Sequence, residues 1–177
     1  MKHALRPLLL AAAVGLACAA QAQVVDMGQT VPDAKTIEEG LFPKAEADCE
    51  QLQGAGFKCM GFRPTVRYSL PASSFKLGSA ELPDTLRQQL EVFAEVLKTK
   101  KGSGKVVRIE GHADRSGSAA GNQTLSQRRA EAVTKFLVER GADPGMLAAV
   151  GKGANEPKNS GDPFAAENRR VEIGRAQ

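Results

Sequence analysis

Apolar residues recur at helical spacing in two long segments of the chain. Side chains three and four positions apart share one face of a helix, so both segments are predicted to be amphipathic helices. The first helix should begin at Pro83-Asp84 and end before Gly102, and the second should run from about Asn122 to Arg140 with Gly141 as its C-terminal cap. The apolar positions are Leu86, Leu90, Phe93, Ala94 and Leu97 in the first helix and Leu125, Val133, Phe136 and Leu137 in the second.

Short segments rich in strand-forming residues alternate with these helices. They are Thr65–Leu70, Lys105–Glu110, Leu147–Val150 and Arg170–Ile173, with a helical turn expected at Phe164–Asn168. Pro71 follows the first strand and favours an edge or bulged position for it. Strands alternating with long helices predict a two-layer α/β sandwich of order β-α-β-α-β with a closing strand, in a domain spanning residues 63–177.

The first 22 residues have the pattern of a secretory signal. Lys2 and Arg6 precede the apolar run Leu8–Cys18, which is too short to span a bilayer, and Ala20-Gln-Ala22 resembles a cleavage site. The alternative is a lipoprotein box at Gly15-Leu-Ala-Cys18, which would leave Cys18 lipidated and attach the protein to a membrane. Cleavage after Ala22 is the favoured interpretation.

Residues 23–62 are expected to form a linker and a short arm. Residues 23–42 are polar and contain Pro32, which is typical of a loosely ordered segment. Cleavage after Ala22 would leave Cys49 and Cys59 as an even pair in an oxidising compartment, so a disulfide between them is predicted to staple the arm. The alternative is two free thiols.

Charge and motif content argue against several function classes. The net charge is +4, or about +2 without Lys2 and Arg6, which does not indicate nucleic-acid binding. A basic cluster between Lys98 and Arg108 lacks aromatic residues and is interpreted as a solvated helix end. The chain has no nucleophile-elbow serine and no evident cysteine–histidine site, so no enzymatic activity is expected. His112 is the only histidine after the signal, so no metal or other cofactor is predicted.

Two charged residues stand out near the end of the second strand and in the second helix. Asp114 follows the strand in Ile109-Glu-Gly-His-Ala-Asp114, and Arg129 lies on the apolar face of the helix in Asn122-Gln-Thr-Leu-Ser-Gln-Arg-Arg-Ala130. A guanidinium on a buried face needs a nearby anion, and Asp114 is the natural candidate. Spacing alone leaves two interpretations open: an internal Asp114–Arg129 salt bridge, or a site for a ligand that carries both an ammonium and a carboxylate.

These two motifs resemble the signature of the OmpA-like domain, found at the C-terminus of outer membrane protein A and of peptidoglycan-associated lipoprotein. The resemblance covers roughly residues 64–175 and implies non-covalent peptidoglycan binding. Asp114 would accept hydrogen bonds from the ammonium of meso-diaminopimelate, and Arg129 would hold its carboxylate. The chain departs from the family at Ala113, where many members have Thr, and at Gly78, where many have Asp.

The resemblance also implies secondary roles for three residues. Asn122 is expected to cap the second helix and to make a minor ligand contact. Leu125 would pack against the ligand or the core. Arg169 and Arg170 point to opposite faces of the last strand, so one should border the site and the other should pair with an acid such as Glu110. Arg170 is included among the candidate ligand-binding residues, although a structural role is slightly favoured for it.

Two functional hypotheses follow from the resemblance. The first is a non-catalytic periplasmic protein that binds peptidoglycan and anchors the outer membrane or another envelope component to the wall. The second is an accessory or assembly subunit of an envelope or secretion complex, in which the domain docks to protein and the arm serves as the docking element.

Overall fold

The computed structural model describes residues 23–44, 51, 53–56, 65–71, 75–76 and 78–176. The predicted signal at residues 1–22 and all three cysteines, Cys18, Cys49 and Cys59, lie outside the described residues. Signal cleavage, lipidation and the disulfide therefore remain predictions.

The described residues build one five-stranded mixed sheet in the order β1-β2-β5-β3-β4. The strands are β1 (Val24–Asp26), β2 (Arg67–Pro71), β3 (Val107–His112), β4 (Leu147–Gly151) and β5 (Arg170–Arg175). The pairs β1–β2 and β3–β4 are parallel, and β5 runs antiparallel to both of its neighbours, β2 and β3. The C-terminal strand thus joins the two parallel pairs into a single sheet.

Among the described residues, three helices contribute to one hydrophobic core with alternate residues of the strands. They are α1 (Ala34–Leu41), α2 (Asp84–Thr99) and α3 (Ala119–Glu139), and short 3-10 turns occupy Pro144–Met146 and Ala166–Asn168. Val107, Ile109 and Ile173 point from the sheet into this core and are fully buried. Because strand side chains alternate between faces, the neighbouring polar residues lie on the opposite face. The predicted two-layer α/β arrangement is confirmed over residues 67–175.

The prediction that residues 23–42 form a linker is wrong for residues 24–26, which form a strand, and for residues 34–41, which form a helix. Asp33 caps α1, because its Oδ1 accepts a hydrogen bond from the Thr36 backbone N–H at 2.9 Å. Ile37 and Leu41, four positions apart, are fully buried in the core. The preceding residues 24–26 form β1 and pair in parallel with β2. The segment is therefore held by the sheet and the core despite its polar composition.

The edge position suggested by Pro71 is also corrected. Because β1 pairs with residues 67–69, β2 lies inside the sheet. Pro71 is tolerated because it is the last residue of β2. It lies opposite Arg170 of β5 and beyond residues 67–69, which pair with β1.

The second long helix begins earlier than predicted. Its N-cap is Ser118, whose Oγ accepts a hydrogen bond from the Gly121 N–H at 3.1 Å, and not Asn122. Asn122 lies in the first turns of the helix. At the other end, Gly141 has a φ of +103° and its N–H bonds to the Val138 carbonyl, so the predicted glycine cap is confirmed.

Candidate functional site

Two glycines allow the first half of α3 to pack directly against the ends of β3 and β4. A Cβ at Gly111 would lie 2.1 Å from the Ser126 carbonyl oxygen, and one at Gly151 would lie 2.6 Å from the Gln127 backbone nitrogen. Only glycine fits such close backbone approaches. This packing places the loop after β3, which carries Asp114, beside the buried face of α3.

Asp114 is a buried carboxylate with two partners. It is 7% exposed. Its Oδ2 accepts a hydrogen bond from Arg169 Nη1 at 2.6 Å, and its Oδ1 accepts one from the Ser116 backbone N–H at 3.0 Å. Burial acts to raise the pKa of Asp114, but the hydrogen bonds from Arg169 and Ser116 outweigh it and the pKa is lowered. The group is therefore an anion near neutral pH.

Arg129 is almost completely buried, at 1% exposure, and only some of its guanidinium N–H groups are hydrogen-bonded. Its Nε donates to the Ser79 carbonyl at 3.1 Å, and its guanidinium carbon lies 4.8 Å from the centre of the Phe75 ring. Its Nη1 is buried and has no hydrogen-bond partner among the described residues. Burial, followed by the positive charge of Arg169, lowers the pKa of Arg129, whereas Asp114 acts to raise it.

An internal salt bridge between Asp114 and Arg129, one of the two interpretations that spacing left open, does not occur among the described residues. Asp114 pairs instead with Arg169, which lies on the last loop before β5. Arg169 and Asp114 both act electrostatically on Arg129, so the three charges form one cluster. Within the described part of the chain, the cluster has two cations and one anion, and one buried cationic N–H group is unused.

Two further candidate residues border this cluster. The Asn122 side chain is buried and its Nδ2 donates to the backbone carbonyl of Asp114 at 2.9 Å. It fixes the loop that carries the carboxylate, in place of the capping role expected for it. Leu125 is half-buried and is not part of the hydrophobic core cluster, which leaves its side chain available at the surface of α3.

Arg170 is not brought to this cluster. It lies on the helix-free face of the sheet, where its Nε donates to Glu172 Oε1 at 2.5 Å. Glu172 also accepts from Arg67 at 3.2 Å. One of the two arginines thus borders the cluster and the other pairs with an acid of the sheet. Arg169, and not Arg170, is the one beside Asp114. The partner of Arg170 is Glu172 instead of the expected Glu110.

The same helix-free face holds a buried group of possible metal ligands. The side-chain ligand atoms of Glu110, His112 and Glu172 all lie within 4.8 Å of one another. The carboxylates are already engaged: Glu110 accepts from Arg67 at 2.7 Å, and Glu172 accepts from Arg170. Both ring nitrogens of His112 are buried, and neither has a hydrogen-bond partner within the residues that the structure describes. Burial, followed by the charge of Arg170, lowers the pKa of His112 to about 4. With arginines occupying the carboxylates, we assign no metal to this group.

A cleft of about 520 Å³ adjoins the Asp114 loop on the side of the first turns of α3. Asn122 forms part of its wall and also bonds to the Asp114 backbone, so the cleft and the charged cluster share a boundary. Sequence reasoning did not identify Arg115 and Phe164 in the cleft. The lining residues are Arg115, Gly117, Ala119, Asn122, Gln123, Gly153, Ala154, Asn155 and Phe164.

The fold and the cluster define an α/β domain with a buried group of positive and negative side chains at the junction of a strand end and a helix. Residues 74–170, more than half of the chain, match the model of the OmpA family, and the chain belongs to that family. Within the described residues, no helix combines the length and the apolar content needed to cross a membrane.

Relatives and solved structures agree with this family. The chain is 39% identical over 101 residues to a peptidoglycan-associated lipoprotein of Pseudomonas aeruginosa, covering 56% of this chain and 58% of that protein. A Pseudomonas putida protein of the same name is 36% identical over 101 residues, covering 56% of this chain and 59% of that protein. The chain thus spans less than two thirds of the length of these curated relatives.

Among solved structures, the peptidoglycan-associated lipoprotein of Burkholderia pseudomallei has a TM-score of 0.51 at 27% identity. The match covers 58% of this chain and 87% of that structure. The OmpA-like domain of FopA1 from Francisella tularensis has a TM-score of 0.51 at 24% identity, covering 59% of this chain and 73% of that one, and supports the fold alone.

Proposed function

We propose that this protein binds peptidoglycan non-covalently, and without catalysis, at the cluster of Asp114 and Arg129. The observation that carries the proposal is Nη1 of Arg129, a buried cationic donor that has no partner in the described part of the chain. A buried, unsatisfied charged group costs free energy unless something completes its hydrogen bonds. A ligand carboxylate is the group that matches the planar fork of a guanidinium.

The proposed ligand group is the zwitterionic centre of meso-diaminopimelate. Its carboxylate would occupy the free side of Arg129, and its ammonium would donate to the Asp114 carboxylate. Arg169 already neutralises part of the Asp114 charge, so the ligand ammonium would share this carboxylate, which has lone pairs for more than the two hydrogen bonds it now accepts. Leu125 is placed to contact the aliphatic part of the ligand.

The energetics of such a site fit reversible binding. A hydrogen bond to a charged group contributes about 1.5–3 kcal/mol, so two or three of them would support binding at roughly micromolar concentrations. We also propose that Arg170 stabilises the sheet and does not contact the ligand, because its guanidinium is directed to Glu172 on the other face.

The cellular role proposed here is that of an exported periplasmic protein that anchors the outer membrane or another envelope component to the wall. The support comes from the names of its relatives, which are peptidoglycan-associated lipoproteins and outer membrane proteins. Export would also permit the predicted Cys49–Cys59 disulfide. Membrane attachment through a lipidated Cys18 is part of the proposal only if the lipoprotein box is used.

Co-sedimentation with purified diaminopimelate-type sacculi tests the binding site. The native protein is expected to sediment with the sacculi, and Arg129→Ala and Asp114→Ala are expected to stay in the supernatant. Arg128→Ala is the matched control, because Arg128 is the adjacent residue of α3 and is exposed. Circular dichroism of each variant establishes that it is folded.

A folded Arg129→Ala protein that still sediments fully would overturn the assignment of the site. If the native protein does not bind sacculi but captures envelope proteins, and this capture survives Arg129→Ala, the domain is a protein-docking module instead.

A further inference from the structure

We propose that the cleft beside Asn122 binds a second carboxylate of the same ligand, carried by the residue that is amide-linked to the other end of diaminopimelate, with Arg115 as its charged partner. This inference rests on the proposed function, since it extends the ligand beyond the Asp114–Arg129 cluster. It assigns roles to Arg115 and Phe164, which belong to the cleft and not to that cluster.

The charge of the cleft selects the ligand chemistry. Arg115 is the single charged residue of its described lining, which contains no acid. The Arg115 side chain is exposed, and no ion pair joins it to an acid of the described residues. Arginine binds carboxylates through two parallel hydrogen bonds, so a free cation of this kind in a concave site favours an anionic ligand group.

The remaining lining residues suit a peptide that carries this anion. The side-chain amides of Asn122, Gln123 and Asn155 supply donors and acceptors for amide bonds. Phe164 is 62% exposed, which is unusual for an aromatic ring, and it offers an apolar surface to a short aliphatic chain.

The cleft is held in place by hydrogen bonds between its walls. The Arg115 backbone N–H donates to the Pro163 carbonyl at 2.9 Å, which joins the Asp114 loop to the loop that carries Phe164. The Gly153 N–H donates to Ser126 Oγ at 2.9 Å, which joins the third wall to α3. A preformed cleft costs little ordering on binding.

The cleft adjoins the charged cluster, and this position indicates which part of the ligand would bind in it. Asn122 lines the cleft and bonds to the backbone of Asp114, so a diaminopimelate held at Asp114 by its free zwitterionic end is expected to extend along its aliphatic chain towards the cleft. In diaminopimelate-type peptidoglycan the neighbouring residue is a γ-linked glutamate with a free α-carboxylate and a two-carbon chain. These groups correspond to Arg115 and Phe164.

Calorimetric titration with three synthetic ligands tests the inference. The ligands are meso-diaminopimelate, the tripeptide L-alanyl-γ-D-glutamyl-meso-diaminopimelate, and the same tripeptide with the glutamate α-carboxylate converted to an amide. Arg115→Gln is expected to weaken the tripeptide about tenfold or more, the loss of one charge-assisted contact, and to leave free diaminopimelate unchanged. Arg128→Gln, the charge-matched control, should change neither.

The amidated tripeptide separates charge recognition from shape. It is expected to bind the native protein and Arg115→Gln equally, and Phe164→Ala should weaken both tripeptides but not free diaminopimelate. Equal binding of the acidic tripeptide by native protein and Arg115→Gln would overturn the cleft assignment while leaving the Asp114–Arg129 site intact. If the native protein binds none of the three ligands, the proposed function fails together with it.

Discussion

Individual charged residues carried most of the site prediction, because a buried arginine is conspicuous in an apolar helix face. Arg129 was found in this way, and Asp114 by its position after a strand. The choice between Arg169 and Arg170 could not be made from sequence, since alternation shows that they face opposite sides but not which side meets Asp114. The Asp114–Arg169 contact depends on where the last loop lies, and no local pattern encodes that position.

His112 is a buried histidine whose titration should make stability depend on pH. The pKa of His112 is lowered to about 4 in the folded protein from an ordinary value of 6.5, chiefly by burial and then by Arg170. Lys152 also opposes protonation, whereas Glu172 and Glu156 favour it. Between these two pKa values the unfolded chain binds the proton more strongly. Stability from His112 is therefore present above pH 6.5 and is lost as the pH falls towards 4.

The expected loss from this residue between pH 7 and pH 5 is about 2 kcal/mol in the free energy of unfolding. Urea denaturation at the two pH values measures it for the native protein and for His112→Gln, whose amide does not titrate. The variant should lose much less than the native protein over this interval. An equal loss in both proteins would assign the pH dependence to other groups.

At the scale of elements, the long helices could be predicted because apolar residues recur at helical spacing over several turns of each. Their ends were less accurate: α3 begins at Ala119 because Ser118, and not Asn122, caps it. The strand β1 has three residues, too few for any periodic signal. A readable signal for α1 was present, since Asp33 precedes Ile37 and Leu41 at a spacing of four, but the surrounding polar residues suggested a linker.

Gly40 on α1 allows this helix to pack closely on the sheet. A Cβ at Gly40 would lie 2.0 Å from the Tyr68 hydroxyl oxygen. The Tyr68 ring is 2% exposed and its hydroxyl donates to the Thr36 carbonyl at 2.7 Å, so the ring cannot move aside. Replacing glycine with alanine inside a helix usually stabilises it by about 1 kcal/mol. Here Gly40→Ala is expected to destabilise the protein by about 1–3 kcal/mol, because the added methyl overpacks the contact.

Urea denaturation followed by far-UV circular dichroism measures this effect, because Tyr68 is the sole tyrosine, the chain has no tryptophan, and this signal survives replacement of Tyr68. Gly54→Ala is the control, since a Cβ there would meet nothing within 4 Å. The double variant Gly40→Ala/Tyr68→Phe should lose less than the sum of the single losses, since removing the hydroxyl relieves the overlap. A stabilised Gly40→Ala protein would contradict the close packing of α1.

At the scale of the whole molecule, the order of strands could not be predicted from the sequence. The sheet joins β5 between β2 and β3, partners that are distant in the chain, and local periodicity does not encode such pairings. The helix-free face of the sheet also depends on this order. Glu110 and Glu172 face each other across β3 and β5, a repulsive arrangement that Arg67 offsets by bonding to both carboxylates.

The strand β1 and the helix α1 are expected to contribute to the stability of the domain, and removing them tests this. A truncated protein of residues 63–177 loses Ile37 and Leu41, two fully buried side chains, and the contact of Gln89 with the Gly28 carbonyl at 3.0 Å. Burial of each aliphatic side chain contributes about 1.5–3 kcal/mol, so the truncation should cost about 3–6 kcal/mol, a large part of a typical domain's stability. Urea denaturation of residues 63–177 against residues 23–177 measures the difference, and Ile37→Ala in the longer protein should lose part of it. Equal midpoints and equal denaturant slopes for the two lengths would mean that residues 23–62 add nothing to the fold.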